Sequence, residues 1–378
     1  MKDLSELLLS MAVISALSIS LSVNIFILFL ARRVRFLAGS RSNLNAVQAA
    51  HSRLTPRLGG VSIFFALICS FAFISLDVSV HYFSIIFAAS FLFIVGLCED
   101  LGWNVSPRKR IIVAIFSSLV AIFLLGAWIS RADFPILNIW MSHWALGVPL
   151  TLVVTVGITN GFNLIDGVNG LAAFTGIISL FGIALVANLS GYASMSQSSL
   201  IVAAAILGFA LVNYPFGLIF LGDAGAYTVG FIISWFAIDL TNSVSNVSVW
   251  SMLLIVFWPV ADTLMAIWRR SSKRSKVTQP DRLHFHQIVM RTLEISFFHR
   301  ERRHVTNPLA TLILLPLVSA PTATGVLFWN QPENAFVAVV FFSAIFTITY
   351  TFSHWIARLI RRRKGPFQER RGFLAQIL

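Results

Sequence analysis

Charge is scarce in this chain, and negative charge is the scarcer sign. Only 11% of the 378 residues are charged, and 15 Asp or Glu face 28 Lys or Arg. Soluble domains carry roughly 25% charged residues, so this shortage excludes an ordinary soluble domain. Cysteine is nearly missing. Cys69 and Cys98 both fall inside apolar runs, which leaves no disulfide framework and no CxxC metal pattern. No repeat and no low-complexity tract is visible either.

What fills the chain is hydrocarbon. Hydrophobic residues make up 57%, with 34 Phe and 10 Trp, and the mean hydropathy is +0.83. Eleven apolar segments are long enough to be candidate membrane helices, at about 7–30, 58–76, 83–98, 111–128, 146–162, 168–187, 199–217, 225–240, 250–268, 308–328 and 335–357. The expected fold class is an all-α polytopic integral membrane protein with about 10–11 transmembrane helices, forming one domain over residues 1–378. Segment 7–30 is long for a signal peptide and runs straight into Arg32, Arg33 and Arg35, so it reads as a retained first helix.

A net charge of +13 raises the question of nucleic acid. The placement of the charges answers it. With the N-terminus outside, 26 of the 28 Lys and Arg fall in segments 31–57, 99–110, 269–308 and 358–378, all on the inner side, leaving only Lys2 and Arg131 outside. This is the positive-inside pattern, so the orientation is N-outside and C-cytoplasmic, with a basic loop at 269–308, a basic tail at 358–378 and no nucleic acid partner.

The outer loops are plain, and the chemistry-bearing residues all lie in the inner ones. "EDLGWNVSPRKR" puts Glu99 and Asp100 at the end of one helix and Arg108, Lys109 and Arg110 at the start of the next. Adjacent carboxylates can hold a cation or act as a base, and the basic residues can receive a phosphate. An interfacial charge pair explains the same residues. In "NGFNLIDGVNG", Asn160, Asn163, Asp166 and Asn169 recur every third residue, which on a helix makes one polar stripe. Amide oxygens beside a carboxylate suit Mg²⁺ or hydrogen bonds to a nucleobase.

Three more inner loops follow the same logic. "LGDAG" sets Asp223 between glycines before a helix, as an N-cap or a ligand. Asp262, near the inner end of its helix, is expected to pair with Arg269 two turns on. "DRLHFHQ" offers His284 and His286 beside Arg282, a set fitted to a phosphate or a proton shuttle, or else a solvated loop. "HSRLTPRLGG" brackets a proline with Arg53 and Arg57 and opens a helix on Gly59 and Gly60, an expected anion cradle.

In this order and on one membrane face, the five motifs resemble the polyprenyl-phosphate N-acetylhexosamine-1-phosphate transferases (glycosyltransferase family 4). The resemblance spans about residues 50–305. It implies transfer of a sugar 1-phosphate from a UDP-N-acetyl sugar, N-acetylglucosamine by default, to undecaprenyl phosphate at the inner face of a bacterial cell membrane. Mg²⁺, with Mn²⁺ as a substitute, is the implied cofactor, held by Asn163 and Asp223. Asp100, with Glu99, matches the acidic pair that deprotonates or positions the lipid phosphate. Asp166 and Asn169 match the nucleotide turn, with Asn160, Arg53 and Arg57 expected to contact substrate. His284, His286 and Arg282 match the loop that meets the diphosphate. Surrounding lipid is the other partner, and a homodimer is the assembly to test.

Three departures from the family pattern stand out: Glu99 where Asp is usual, Asn169 for a second Asp, and Gln287 for a further His. They point away from the pentapeptide-specific branch, toward enzymes that initiate O-antigen, exopolysaccharide or other envelope glycans. The runner-up is a secondary transporter. Transporters keep coupling residues near the bilayer midplane, whereas these carboxylates sit at one edge.

Overall fold

The computed structural model describes residues 6, 10–34, 55–74, 76–272, 284–298 and 302–363, with backbone alone for 76–79, 272 and 354–363. No strand occurs among them. The helices are α1 (Met11–Arg33), α2 (Gly59–Ser70, continued by a 3-10 turn over Phe71–Phe73), α3 (Leu76–Asp100), α4 (Pro107–Leu125), α5 (Pro135–Met141), α6 (Trp144–Ile165) and α7 (Leu171–Leu189). There follow α8 (Ala193–Asn213), α9 (Gly222–Ser243), α10 (Val249–Ile255), α11 (Phe257–Ser272), α12 (Phe285–Leu293), α13 (Arg303–Leu327) and α14 (Pro332–Arg363).

Each apolar segment expected from sequence contains a helix among the described residues. Eight helices, α1, α3, α6, α7, α8, α9, α13 and α14, are long and apolar enough to cross a membrane. α10 and α11 pass the same test only as a pair, bent by 81°. Against the expected 10–11 spans, the described residues alone hold eight, or nine with the bent pair. Of the remaining two segments, α2 and its 3-10 turn stay short, and α4 opens on Pro-Arg-Lys-Arg, which leaves too little apolar length. The chain is an all-helical, multi-pass membrane protein.

α9 is the axis of the bundle. It is buried from Gly222 to Thr241 on every side, which is why its sequence shows no polar stripe. It packs on α2, α3, α6 and α7. Elsewhere close approach relies on small residues: Ala12, Ala16 and Ser20 of α1 are buried, and α1 lies against α8.

The two ends of α9 are finished differently. At its C-terminal end Arg131 donates to the carbonyls of Thr241 (3.1 Å), Val244 (3.3 Å) and Val247 (2.6 Å). Asp133 holds Arg131 at 2.6 Å and accepts from the Val249 amide at 2.7 Å. Helix carbonyls without partners attract a cation, so the isolated Arg131 of the sequence has a structural task. The N-terminal end of α9 carries a different set of groups.

Candidate active site

Three chain segments close around the start of α9. Phe220 N–H donates to Pro56 O at 2.8 Å, Gly59 N–H to Phe220 O at 2.9 Å and Gly60 N–H to Leu221 O at 2.8 Å. The Gly59–Gly60 amides are therefore bonded to backbone, which corrects the expected anion cradle. Asp100, at the end of α3, accepts from the Asp223 amide at 3.0 Å and the Ala224 amide at 2.9 Å. It thus caps α9 from another helix, satisfying two of the donors a helix start leaves open. Gly222 makes the approach feasible: its φ is +76°, and a Cβ there would lie 2.5 Å from Asp100 Oδ2.

Asp223 is the hub of the cluster. Its Oδ1 accepts from Arg57 Nη2 and from Asn163 Nδ2, each at 3.0 Å, and its Oδ2 from Arg110 Nη1. Arg57 also reaches Asp100, Nε to Oδ1, at 3.4 Å. Arg110 donates to the Tyr227 hydroxyl at 3.2 Å, with its guanidinium 5.9 Å from the ring centre. Two buried carboxylates thus face two guanidinium groups. Asp166 caps α6 close by, where burial raises its carboxyl well above the usual range, with Asp223 and Asp100 adding to the rise and Arg57 opposing it.

The histidines join this cluster through the turn after α6. A Cβ on Gly167 would stand 2.2 Å from His286 Nε2, so only glycine lets the imidazole press on the residue next to Asp166. His284 and His286 lie with rings 12° from parallel and centroids 5.9 Å apart. Both are buried, at 2% and 1% exposure, which excludes the solvated-loop alternative for these two residues. Burial pushes His286 down to about 4, so it is neutral at pH 7. Asp262 pairs not with Arg269 but with His284, Oδ2 to Nδ1 at 2.9 Å, and accepts from the Phe285 amide at 3.2 Å. Arg269 donates instead to the Tyr350 hydroxyl.

Other expected residues lie apart. α6 ends at Ile165, so the polar stripe does not form. Asn160 bonds its own helix at Val156 O, 2.8 Å. Asn169 is 6% exposed and is tied to Pro215 O at 2.8 Å and, by its amide N–H, to Asn307 at 2.7 Å. Glu99 accepts from the Val105 amide and closes its own loop. Arg53 and Arg282 lie outside the described residues. Sequence reasoning named Arg110 only among three basic residues and missed Tyr227, although Tyr227 follows Asp223 by one helical turn and must share its face.

Comparison with known proteins meets this geometry. A family model described as glycosyl transferase family 4 matches residues 82–241, from within α3 to the last turn of α9. That stretch holds Asp100, Arg110, Asn163, Asp166 and Asp223. The chain is 28% identical over 323 residues to a probable undecaprenyl-phosphate N-acetylglucosaminyl 1-phosphate transferase of Bacillus subtilis, covering 82% of this chain and 87% of the relative. It is 28% identical over 370 residues to the undecaprenyl-phosphate alpha-N-acetylglucosaminyl 1-phosphate transferase of Escherichia coli K12, covering 94% and 95%. A Yersinia pestis protein of the latter name is 25% identical over 345 residues, covering 89% and 92%. The chain is thus similar to glycosyl transferase family 4 over residues 82–241 and, along most of its length, to transferases that act on undecaprenyl phosphate.

Proposed function

We propose that this protein moves a sugar 1-phosphate from a UDP-N-acetylhexosamine, N-acetylglucosamine favoured, to undecaprenyl phosphate in the bacterial inner membrane. A lipid phosphate oxygen attacks the β-phosphorus of the nucleotide sugar. The new P–O bond forms as the bridging P–O bond to the α-phosphate breaks, and UMP leaves. The product is a lipid diphosphate sugar, a starting unit for O-antigen, exopolysaccharide or another envelope glycan.

The observation that carries this reading is the cluster at the start of α9, where Arg57 and Arg110 converge on Asp223 beside Asn163. Phosphoryl transfer is mainly positioning and charge neutralisation, and such a cluster supplies both. A second phosphate pKa near 6 leaves the acceptor oxygen largely ionised at pH 7. The lipid phosphate then needs no strong base, and Asp100, with both oxygens bonded, serves to hold α9 and Arg57. Exposed Trp103, Ile111 and Ile112 border the loop that leads to Arg110, a rim suited to a lipid acceptor. The carboxylates sit at helix ends, which disfavours the transporter alternative.

Mg²⁺, or Mn²⁺, fits beside Asp223 and Asn163. A carboxylate and an amide in contact are hard oxygen donors once the amide turns its oxygen inward, and Mg²⁺ habitually takes one or two protein ligands, with phosphate and water completing the set. Among the described residues no three His, Cys, Asp or Glu side chains group to cage a metal alone. When bound, the ion neutralises charge on the diphosphate. The reading is tested with UDP-N-acetylglucosamine labelled separately in its two phosphates. The β-label should enter the lipid and the α-label should leave as UMP. Both labels in the lipid, or neither, would contradict the route.

A further inference from the structure

We propose that Asp262 is a positioning residue: it holds the proton on Nδ1 of His284, so that the buried Nε2 of that ring is the nitrogen that takes up a second proton and donates it in a hydrogen bond to a phosphate oxygen of the substrate. The identity of the ligand rests on the transferase reading; the state of the ring does not.

The geometry leaves little freedom. Asp262 and His284 are each 2% exposed. The carboxylate uses Oδ2 on His284 Nδ1 at 2.9 Å and Oδ1 on the Phe285 amide at 3.2 Å. An ionised carboxylate only accepts, so Nδ1 must be the protonated nitrogen. The bond to Phe285 fixes the first turn of α12, whose N-cap, His284, makes no capping bond of its own. Backbone and ring are thus held from α11 by one side chain. His284 Nε2 is buried and has no hydrogen-bond partner among the described residues. A buried polar atom left open is costly, and it marks a place that a ligand atom completes. The neighbouring ring, parallel at 12°, presses on the turn that carries Asp166. His284 is thus linked, through His286, to the turn that carries Asp166, the route by which a phosphate oxygen is proposed to reach its Nε2. There the ring donates from Nε2 as an imidazolium, and Asp262 balances its charge.

A plain capping role for Asp262 is the competing account, and Asp262→Asn separates the two. Asparagine keeps one oxygen for the Phe285 amide, while its NH₂ faces His284 and donates to Nδ1. The cap survives and the ring proton moves to Nε2. The full chain in detergent, labelled with [15N]histidine and assigned by difference with His284→Gln, should show Nδ1 protonated in the wild type. UDP should shift the Nε2 signal. Asp262→Asn should reverse the tautomer and lower kcat about 10–100-fold, the usual cost of losing a partner behind a ligating histidine. Asp262→Glu should regain most of the rate. A neutral wild-type ring with its proton on Nε2, or no response to UDP in protein that turns over a UDP sugar, would overturn the proposal. So would an Asp262→Asn variant with reversed tautomer and unchanged kcat. If the wild type turns over no UDP sugar, the transferase reading fails alone, because the ring spectra still decide the role of Asp262. If Asp262→Asn does not fold, the wild-type spectra and Asp262→Glu carry the decision.

Discussion

At the scale of single residues, Asp223 bears most of the account. Asp223→Asn removes the charge that Arg57 and Arg110 face, and turnover should fall at least 10²-fold, on the order of 3 kcal/mol. As a plain metal ligand Asp223 would be dispensable for stability. Two guanidinium groups on one buried carboxylate argue otherwise, although Arg57 retains Asp100. A loss of about 1–3 kcal/mol is expected, read as a lower melting temperature in detergent. His286 gives a pH dependence with a definite sign. Unfolded, the imidazole titrates near 6.5; folded, burial pushes it down to about 4. Between these values the unfolded chain holds more protons, so stability falls as pH drops from about 6.5 to 4, by up to roughly 1.4 kcal/mol per unit, and does not change above. Melting wild type and His286→Gln at pH 7.5 and 5 checks it: the difference between the two proteins should shift with pH. An identical shift in both would remove His286 from the explanation.

At the scale of elements, the start of α9 depends on one backbone position. Gly222→Ala would set a methyl 2.5 Å from both Asp100 Oδ2 and Arg57 O in a left-handed conformation. It should cost more than the ~1 kcal/mol of a compatible glycine change and abolish activity with it. Wild-type melting and turnover would show that Asp100 does not cap α9. Arg131→Ala, at the other end of α9, should lower the melting temperature while leaving KM for the nucleotide sugar unchanged in the protein that remains folded. These elements also show what a sequence can and cannot reveal. Apolar length located the helices, because burial in lipid or core leaves a run that needs no long-range information. The contact of Asn163 with Asp223 was legible only through the family resemblance, which set both beside one metal. The partner of Asp262 was not, since His284 lies 22 positions away along the chain. The stripe from Asn160 to Asn169 failed because α6 stops at Ile165, and a three-residue repeat has no meaning across a turn.

At the scale of the whole molecule, the chain returns repeatedly to one end of the bundle. Asp100 and Asp223 meet there, Asp100 accepting from the Asp223 amide at 3.0 Å, and the turn after α6 is tied to α8 by Gly170 N–H to Asn213 at 2.7 Å. The 26 cationic residues of the inner segments predict that this end faces the cytoplasm. Lys2→Cys and Arg370→Cys should label from opposite sides of the membrane, and labelling of both from one side would overturn the orientation. The central claim is that the cluster at the start of α9 joins a water-borne nucleotide sugar to a membrane-borne phosphate. Its most direct test is UMP release by the purified protein with UDP-N-acetylglucosamine, undecaprenyl phosphate and Mg²⁺, each omitted in turn. The account predicts release only when all three are present, and release that persists without the lipid phosphate would contradict it.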